Sequence, residues 1–154
     1  MRGYSLLPKL LLFAPCEKVI VDQNNVTSLI TILEEITVDI PATLDADVEK
    51  TPVAPLKWDV IALWAETEGD EPGTIFQMRL ALIDPTGAPV GLEGSAEFRF
   101  ADKPHHRVVL TILGFPIRHE GFYSVRLWEQ KKGESEGKPM AEFPIKLTRK
   151  RPKE

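Results

Sequence analysis

Three histidines and a glutamate are the side chains in this sequence that could bind a transition metal or transfer protons. His105 and His106 are adjacent, and His119 and Glu120 form a second pair further along the chain. Imidazole and carboxylate groups are common zinc ligands and general bases. Adjacent side chains on a strand point to opposite faces, however, so His105 and His106 are poorly placed to hold one ion together. A metal-dependent hydrolase that uses these four residues is therefore the second hypothesis rather than the first.

An acidic segment offers a different chemistry. The stretch ETEGDEPG, residues 66–73, contains Glu66, Glu68, Asp70 and Glu71. Clustered carboxylates in a loop can bind calcium, but their spacing is not that of an EF-hand. A solvated hairpin loop is the favoured interpretation, and calcium binding stays open as an alternative.

Nucleophilic catalysis has little support in the sequence. Cys16 is the only thiol, and its neighbours Pro15 and Glu17 would not lower its pKa, which predicts a buried and inert cysteine. No serine lies in a Gly-x-Ser-x-Gly motif, and no glycine loop leads into a helix to bind phosphate. Because no acid, base and nucleophile converge, the sequence predicts a protein that is not an enzyme and has no cofactor or catalytic metal.

The elements that must position these residues are predicted to be strands. Short alternating runs are separated by proline, glycine and asparagine, whereas helical spacing is nowhere sustained. The predicted strands are 10–13 and 17–22, with a bend at Pro15, then 28–38, 56–66, 75–83, 94–101, 106–113, 121–129 and 140–148. This pattern is typical of an all-β sandwich or barrel.

Alternation also predicts which side chains are buried. In the run from Leu56, the apolar residues share one face, opposite Lys57 and Asp59. The inward set of this run is Leu56, Trp58, Val60, Ala62 and Trp64, and that of the next is Phe76, Met78, Leu80 and Leu82. A row of tryptophans can bind carbohydrate, but the parity of Trp58 and Trp64 favours the core.

The stretch GFPIRHEGFYSVRLWEQ, residues 114–130, is interpreted as part of the scaffold rather than as an active site. In Greek-key sandwiches, a tyrosine near the start of a late strand hydrogen-bonds to the backbone a few residues upstream. Tyr123 has this position, and Gly121 allows the preceding turn. His119 and Glu120 then lie on a connecting turn, where polar residues need no catalytic explanation.

One outward face is a candidate protein interface. Arg126 and Trp128 share the exposed side of the strand that begins near Tyr123, and arginine and tryptophan are enriched in interface hot spots. Arg79 and Arg99 are also predicted to point outward, so the candidate interface consists of Arg126, Trp128, Arg79 and Arg99.

The bulk properties are those of one soluble domain. The chain has 154 residues and a formal net charge of -4, so nucleic acid is an unlikely partner. A single cysteine and a leucine-rich start interrupted by Pro8 and Lys9 predict a cytoplasmic protein without a membrane segment. The predicted division is a short N-terminal segment at 1–8, a β-sandwich domain at 9–148 and a basic flexible tail at 149–154, with an acidic crossover at 41–55.

The order of five motifs resembles an uncharacterised family of small bacterial β-sandwich proteins. The motifs are CEKVIVDQ, SLITILEEI, the DPTG turn, GFPI and GFYSVRL, and the resemblance covers roughly residues 8–148. It implies an immunoglobulin-like Greek-key β-sandwich of about seven to nine antiparallel strands, of bacterial or phage origin. It implies no activity, cofactor or catalytic residue.

These observations predict a non-enzymatic interaction or accessory module. Its expected partner is another protein or further copies of the same chain. The metal-dependent hydrolase and a calcium- or carbohydrate-binding module are the alternatives.

Overall fold

The computed structural model describes residues 7–39, 52–68, 73–101 and 103–150. Within these ranges the chain forms nine strands and no helix. The strands are β1 (Lys9–Val21), β2 (Thr27–Ile32), β3 (Glu35–Val38), β4 (Val53–Ala65), β5 (Phe76–Ile83), β6 (Pro89–Phe98), β7 (His105–Pro116), β8 (Gly121–Lys131) and β9 (Ala141–Arg149). The all-β prediction is confirmed.

The strands form two sheets. A four-stranded sheet has the order β2-β1-β4-β7 and is antiparallel throughout. A five-stranded sheet has the order β3-β9-β8-β5-β6, and its β3–β9 pair is parallel. The expectation of antiparallel strands only is therefore wrong for this pair.

The parallel pair arises because the chain changes sheets directly after β2. Leu33 N–H still donates to Pro15 O in the four-stranded sheet, at 3.0 Å, whereas Glu34 O accepts from Lys146 N in β9, at 2.9 Å. β3 thus continues onward from β2 and runs alongside β9 in the same direction. One predicted strand, 28–38, is consequently two strands in different sheets.

The inner faces of the two sheets share one hydrophobic core. Both tryptophans of β4 and the apolar face of β5 are buried in it, as their parity predicts. Trp64 stacks on Phe98 of β6, with ring centroids 5.3 Å apart. Each large side chain removed from water in this way contributes about 1.5–3 kcal/mol, so this core is the main source of stability.

β1 is one continuous strand that changes partner, rather than the two pieces predicted on either side of Pro15. Residues Lys9 to Cys16 pair with β4, and Cys16 to Val21 pair with β2. β6 is also longer than predicted, because it begins at Pro89. Gly91 and Gly94 interrupt the apolar alternation there and hide the start of the strand from pattern analysis.

Candidate interaction surfaces

The four residues proposed for metal chemistry do not come together. His105 and His106 begin β7, while His119 and Glu120 follow its other end, beyond a twelve-residue strand. At about 3.4 Å per residue, the two pairs are separated by most of the length of the sandwich. Within the described ranges, no three His, Cys, Asp or Glu side chains are grouped so that they could hold an ion.

His106 belongs to the wall of the core. Its ring stacks on Phe98 at a centroid distance of 5.4 Å and meets the edge of Phe100 at 6.4 Å. Burial lowers the pKa of His106, and the nearby charge of Arg107 lowers it further. The fold therefore favours the neutral imidazole, while its neighbour His105 is exposed to solvent.

The turn between β7 and β8 is held by Tyr123. The buried Tyr123 hydroxyl donates to His119 O at 2.8 Å and accepts from the N–H groups of Arg118, at 2.8 Å, and His119, at 3.0 Å. Glu120 has a structural contact as well, since its Oε1 accepts from Arg149 N at 3.0 Å. The prediction of a tyrosine that hydrogen-bonds to the backbone upstream is confirmed.

Gly121 is required where this corner packs on the turn between β5 and β6. Its φ is +132°, which other residues rarely adopt, and an added Cβ would lie 3.3 Å from the Pro85 ring. Asp84 closes the β5–β6 turn by accepting from Thr86 Oγ1 at 2.6 Å and from two backbone N–H groups. Burial by itself would raise the pKa of Asp84, but these hydrogen bonds outweigh it and lower the pKa.

Two residues of the predicted interface, Arg79 and Trp128, are neighbours on the outer face of the five-stranded sheet. They are cross-strand partners, and the guanidinium carbon of Arg79 lies 3.9 Å from the centroid of the Trp128 ring. Arg79 also binds Glu136 through two hydrogen bonds of 2.6 and 2.8 Å. The Glu136 hydrogen bonds raise the pKa of Arg79, and the same contact lowers the pKa of Glu136.

The other two residues of the predicted interface are less closely connected. Arg126 lies on the same face and forms an ion pair with Glu142 at 2.9 Å. Arg99 is exposed just beyond the end of β6. The arginines of β5 and β8 are thus paired within the chain, and a partner would have to displace Glu136 or Glu142 to reach their charges. The proposed contact through these residues stays a prediction.

The four-stranded sheet has a different outer face, because the β1–β2 hairpin curls over it. Asp59 points outward from β4, where its Oδ1 accepts from Thr111 Oγ1 of β7 at 2.7 Å. Its Oδ2 accepts from Val19 N of the hairpin at 2.9 Å. Val19 lies three residues beyond Cys16, the in-plane partner of Asp59, so β1 must rise above the sheet after Cys16.

Arg107 holds the far end of the same hairpin. Its guanidinium donates from β7 to Thr27 Oγ1 at 2.8 Å and to Asn25 Oδ1 at 2.9 Å. Two strands, β1 and β4, separate β2 from β7 in the sheet, so this contact requires the hairpin to pass over the outer surface of β4. The tip itself is fixed, because Asp22 Oδ1 accepts from Asn24 N and Val26 N.

The hairpin explains why the outward side chains beneath it are buried. Asp59 is only 8% exposed, and Ile61, Ala14 and Cys16 are almost completely buried although their registers place them on the same side of the sheet. Burial, together with the charge of Asp59, raises the pKa of the Cys16 thiol. The prediction of a buried cysteine is confirmed, and its thiol is held in the protonated, unreactive form.

The hairpin and the strand that leads to it also carry most of the large apolar side chains that remain exposed. In the described part of the chain, seven of the twelve such residues lie between positions 11 and 32: Leu11, Leu12, Ile20, Val21, Val26, Ile30 and Ile32. Ile20 and Ile30 share one face of the hairpin and are 39% and 41% exposed. With Ile32 they are called the hairpin surface below.

Sequence analysis missed this surface, although a signal was present. Both faces of the hairpin are apolar, since Val19, Ile20 and Val21 are consecutive and Leu29 is followed by Ile30. Apolar residues on both faces are typical of strands that are covered on both sides, so a hairpin of this kind at the surface would leave one apolar face exposed. By itself the pattern predicts strands and does not identify which face is exposed.

Some sequence-based hypotheses fall outside the described ranges. Asp70 and Glu71 of the acidic loop lie there, as do most of the acidic crossover and residues 151–154 of the basic tail. In the residues that are described, no helix is long and apolar enough to cross a membrane.

Comparison with known proteins finds no relative. No family model matches the chain, and no curated protein or solved structure matches it either. The resemblance to a bacterial family therefore remains a prediction.

Proposed function

We propose that this protein is a non-enzymatic interaction module that binds another protein through the hairpin surface, as an accessory component of a larger assembly. The observation that carries the proposal is the concentration of exposed aliphatic side chains on one hairpin that is itself firmly anchored. Exposed apolar patches of a few hundred Å² on a monomer are often functional. A cytoplasmic location is part of this proposal.

The anchoring makes the hairpin a suitable platform. Asp59 fixes its base and Arg107 fixes its tip, so Ile20 and Ile30 are presented on a preorganised surface. A partner that binds a preorganised surface loses less conformational entropy on association. Complete burial of an exposed isoleucine contributes about 1.5–3 kcal/mol. Because Ile20 and Ile30 are 39% and 41% exposed, covering the remainder of each contributes about 0.6–1.2 kcal/mol, so several such residues together are needed to form the centre of an interface.

We also propose that the sandwich is of the immunoglobulin-like type. Three features support this assignment: the order β9-β8-β5 in one sheet, the order β1-β4-β7 in the other, and the hydrogen-bonded Tyr123 at the start of β8. They correspond to the G-F-C and A-B-E strands and the tyrosine corner of that fold. Because folds of this type host many unrelated functions, the proposed role rests on the hairpin surface and not on the fold assignment.

The proposal can be tested by quantitative affinity capture from cells that express the tagged protein. The test variant carries Ile20→Lys and Ile30→Lys, which place two charges on the hairpin surface without changing the core. The control is Phe122→Lys, because Phe122 is 62% exposed but lies on β8, in the other sheet. We expect a defined set of proteins to be retained by the wild type and the control and lost by the test variant.

The captured protein would then be produced and titrated directly with each variant. A loss of affinity of at least tenfold for the hairpin variant, with none for the control, supports the proposal. Equal capture by all three proteins contradicts the proposal. Catalytic turnover of a substrate that is lost when a described polar side chain is replaced would contradict it as well.

A further inference from the structure

The loop between β8 and β9 folds back over the outer face of the five-stranded sheet. It spans residues 132–140 and is anchored at both ends, where Lys132 N donates to Ile75 O at 2.9 Å and Met140 N donates to Leu127 O at 2.7 Å. Every residue of this loop is exposed to solvent. The loop is called the strap below.

The middle of the strap reaches across a strand to bind Arg79. Glu136 accepts two hydrogen bonds from this arginine, from Nη2 at 2.6 Å and from Nε at 2.8 Å. Arg79 lies on β5, and β8 stands between β5 and β9 in the sheet, so the strap must turn away from β9 and pass over the outer side chains of β8. Trp128 is the β8 residue directly beside Arg79, and the guanidinium lies over its ring.

Glu136 is the only tie of the central part of the strap. Within the described ranges, residues 135–139 make no hydrogen bond or ion pair other than those between Glu136 and Arg79. Gly133, with a φ of +90°, and Gly137 flank the glutamate, and a Cβ added to either glycine would meet no atom within 4 Å. Because glycine has the widest choice of backbone conformations, the strap can change position about its two anchors while the strands stay paired.

The contact between Glu136 and Arg79 closes one side of a cleft. The cleft has a volume of about 400 Å³, and Glu136 and Trp128 both line it. The other polar side chains of its lining point outward from β5, β6 and β8, and they include Gln77, Ser95, Glu97 and Gln130. Release of Glu136 would therefore widen the cleft beside Trp128 and leave the Nε and Nη2 donors of Arg79 unoccupied.

The ion pair is weak enough to open. The side chains of Arg79 and Glu136 are 32% and 34% exposed, and an ion pair at such a position shifts an equilibrium by no more than about fivefold. Arg79 keeps two partners when Glu136 leaves, namely Glu93 at 3.4 Å and the ring of Trp128 at 3.9 Å. The carboxylate of Glu136 returns to water, so neither position of the strap leaves a buried unpaired charge.

We infer that the strap is an autoinhibitory device with a closed position, held by Glu136 on Arg79, and an open position that exposes Trp128 and the freed donors of Arg79. Both residues belong to the interface predicted from the sequence, so the strap determines when that face is available for contact. Salt favours the open position, because the screening length falls from about 8 Å at physiological ionic strength to about 3 Å at 1 M. The hairpin surface lies on the other sheet, so the inference is independent of the proposed function.

Tryptophan fluorescence of the full-length protein tests the inference. The chain has three tryptophans, and Trp58 and Trp64 are fully buried, so quenching by the uncharged molecule acrylamide reports on Trp128. Trp128→Phe supplies the signal of the two buried tryptophans, which is subtracted. The test variant is Glu136→Gln, and its matched control is Glu134→Gln, which removes the same charge from the strap without removing a contact to Arg79.

We expect the quenching constant of Trp128 at physiological ionic strength to be about two- to fivefold higher in Glu136→Gln than in the wild type, and unchanged in Glu134→Gln. At about 1 M NaCl the wild type should approach Glu136→Gln, which should itself respond little to salt. Both substitutions are at exposed positions, and coincident thermal unfolding curves would verify that the fold is kept.

Equal quenching of the wild type and Glu136→Gln at physiological ionic strength overturns the inference. An equal increase in Glu134→Gln overturns it too, because the effect would then come from the charge of the strap and not from its contact with Arg79. A wild type whose quenching does not change with salt is the third result that contradicts it.

Discussion

Removal of the Asp59 carboxylate is expected to release the β1–β2 hairpin from the sheet beneath it. The carboxylate accepts two hydrogen bonds, from Val19 N at 2.9 Å and from Thr111 Oγ1 at 2.7 Å, and it is almost buried. Hydrogen bonds to a charged group contribute about 1.5–3 kcal/mol each, and water can replace part of this because the two donor residues, Val19 and Thr111, are more exposed than Asp59. Asp59→Ala should therefore lower the free energy of unfolding by about 2–4 kcal/mol.

Asp59→Asn should be much milder, at about 1 kcal/mol. Its carboxamide oxygen can accept from Val19 N while its NH₂ group donates to Thr111 Oγ1, which then acts as the acceptor. Thr111→Val is the matched control, because it removes one contact of Asp59 but leaves the bond to Val19. Urea denaturation measures the change in stability for all three variants.

Hydrogen exchange followed by mass spectrometry shows where the change acts. In Asp59→Ala, peptides that cover residues 17–32 should exchange faster than the core strands, whereas Thr111→Val should leave them protected. Asp59→Asn can keep both hydrogen bonds and Asp59→Ala cannot. Equal destabilisation by the two variants would therefore refute the reasoning. A change below about 0.5 kcal/mol for Asp59→Ala, the size of an ordinary surface substitution, would refute it as well.

Two other predictions concern the corner and the core wall. Tyr123→Phe removes three hydrogen bonds from the turn before β8 and should lower the free energy of unfolding by about 1.5–3 kcal/mol, measured by thermal or chemical unfolding. The control Phe122→Tyr adds a hydroxyl at an exposed neighbouring position and should be neutral. Equal stability of the two variants would contradict the role given to Tyr123. Because the fold lowers the pKa of His106 below the ordinary value of about 6.5, stability should be fully present above pH 6.5 and should fall as the pH drops through 6.5 toward the folded-state pKa. His106→Phe should flatten this part of the pH profile, with the same change at exposed His105 as the control, and an unaltered slope in His106→Phe would exclude His106 as the titrating group.

The burial of side chains was predictable from the sequence because a strand with one covered face alternates in a simple way. Trp58 and Tyr123 are inward by parity alone, and both are fully buried. The corner at Tyr123 was predictable for a similar reason, since its hydrogen bonds reach only four or five residues upstream. Hydrogen bonds between residues that are close in the chain can be recognised from a short sequence motif.

Contacts between distant segments had no such signature. The hairpin depends on Arg107 meeting Asn25 and on Asp59 meeting Val19, and nothing in the alternation of either segment specifies those meetings. The prediction of the candidate interface rests on composition and outward parity, which do not reveal that Glu136 pairs with Arg79 and Glu142 with Arg126. Acidic residues that neutralise a surface from another strand or loop can be identified only once the fold is known.

The parallel pair of β3 and β9 has a consequence for biosynthesis. It joins Ile36 to Leu147, so β3 receives its partner only after the whole intervening segment, which includes β4 to β8, is available. Because closing so long a loop is slow, this pairing is expected to be among the last steps of folding. A nascent chain emerging from the ribosome would carry β3 unpaired until β9 has emerged, and this interval is when its exposed edge is most open to chaperones or to aggregation.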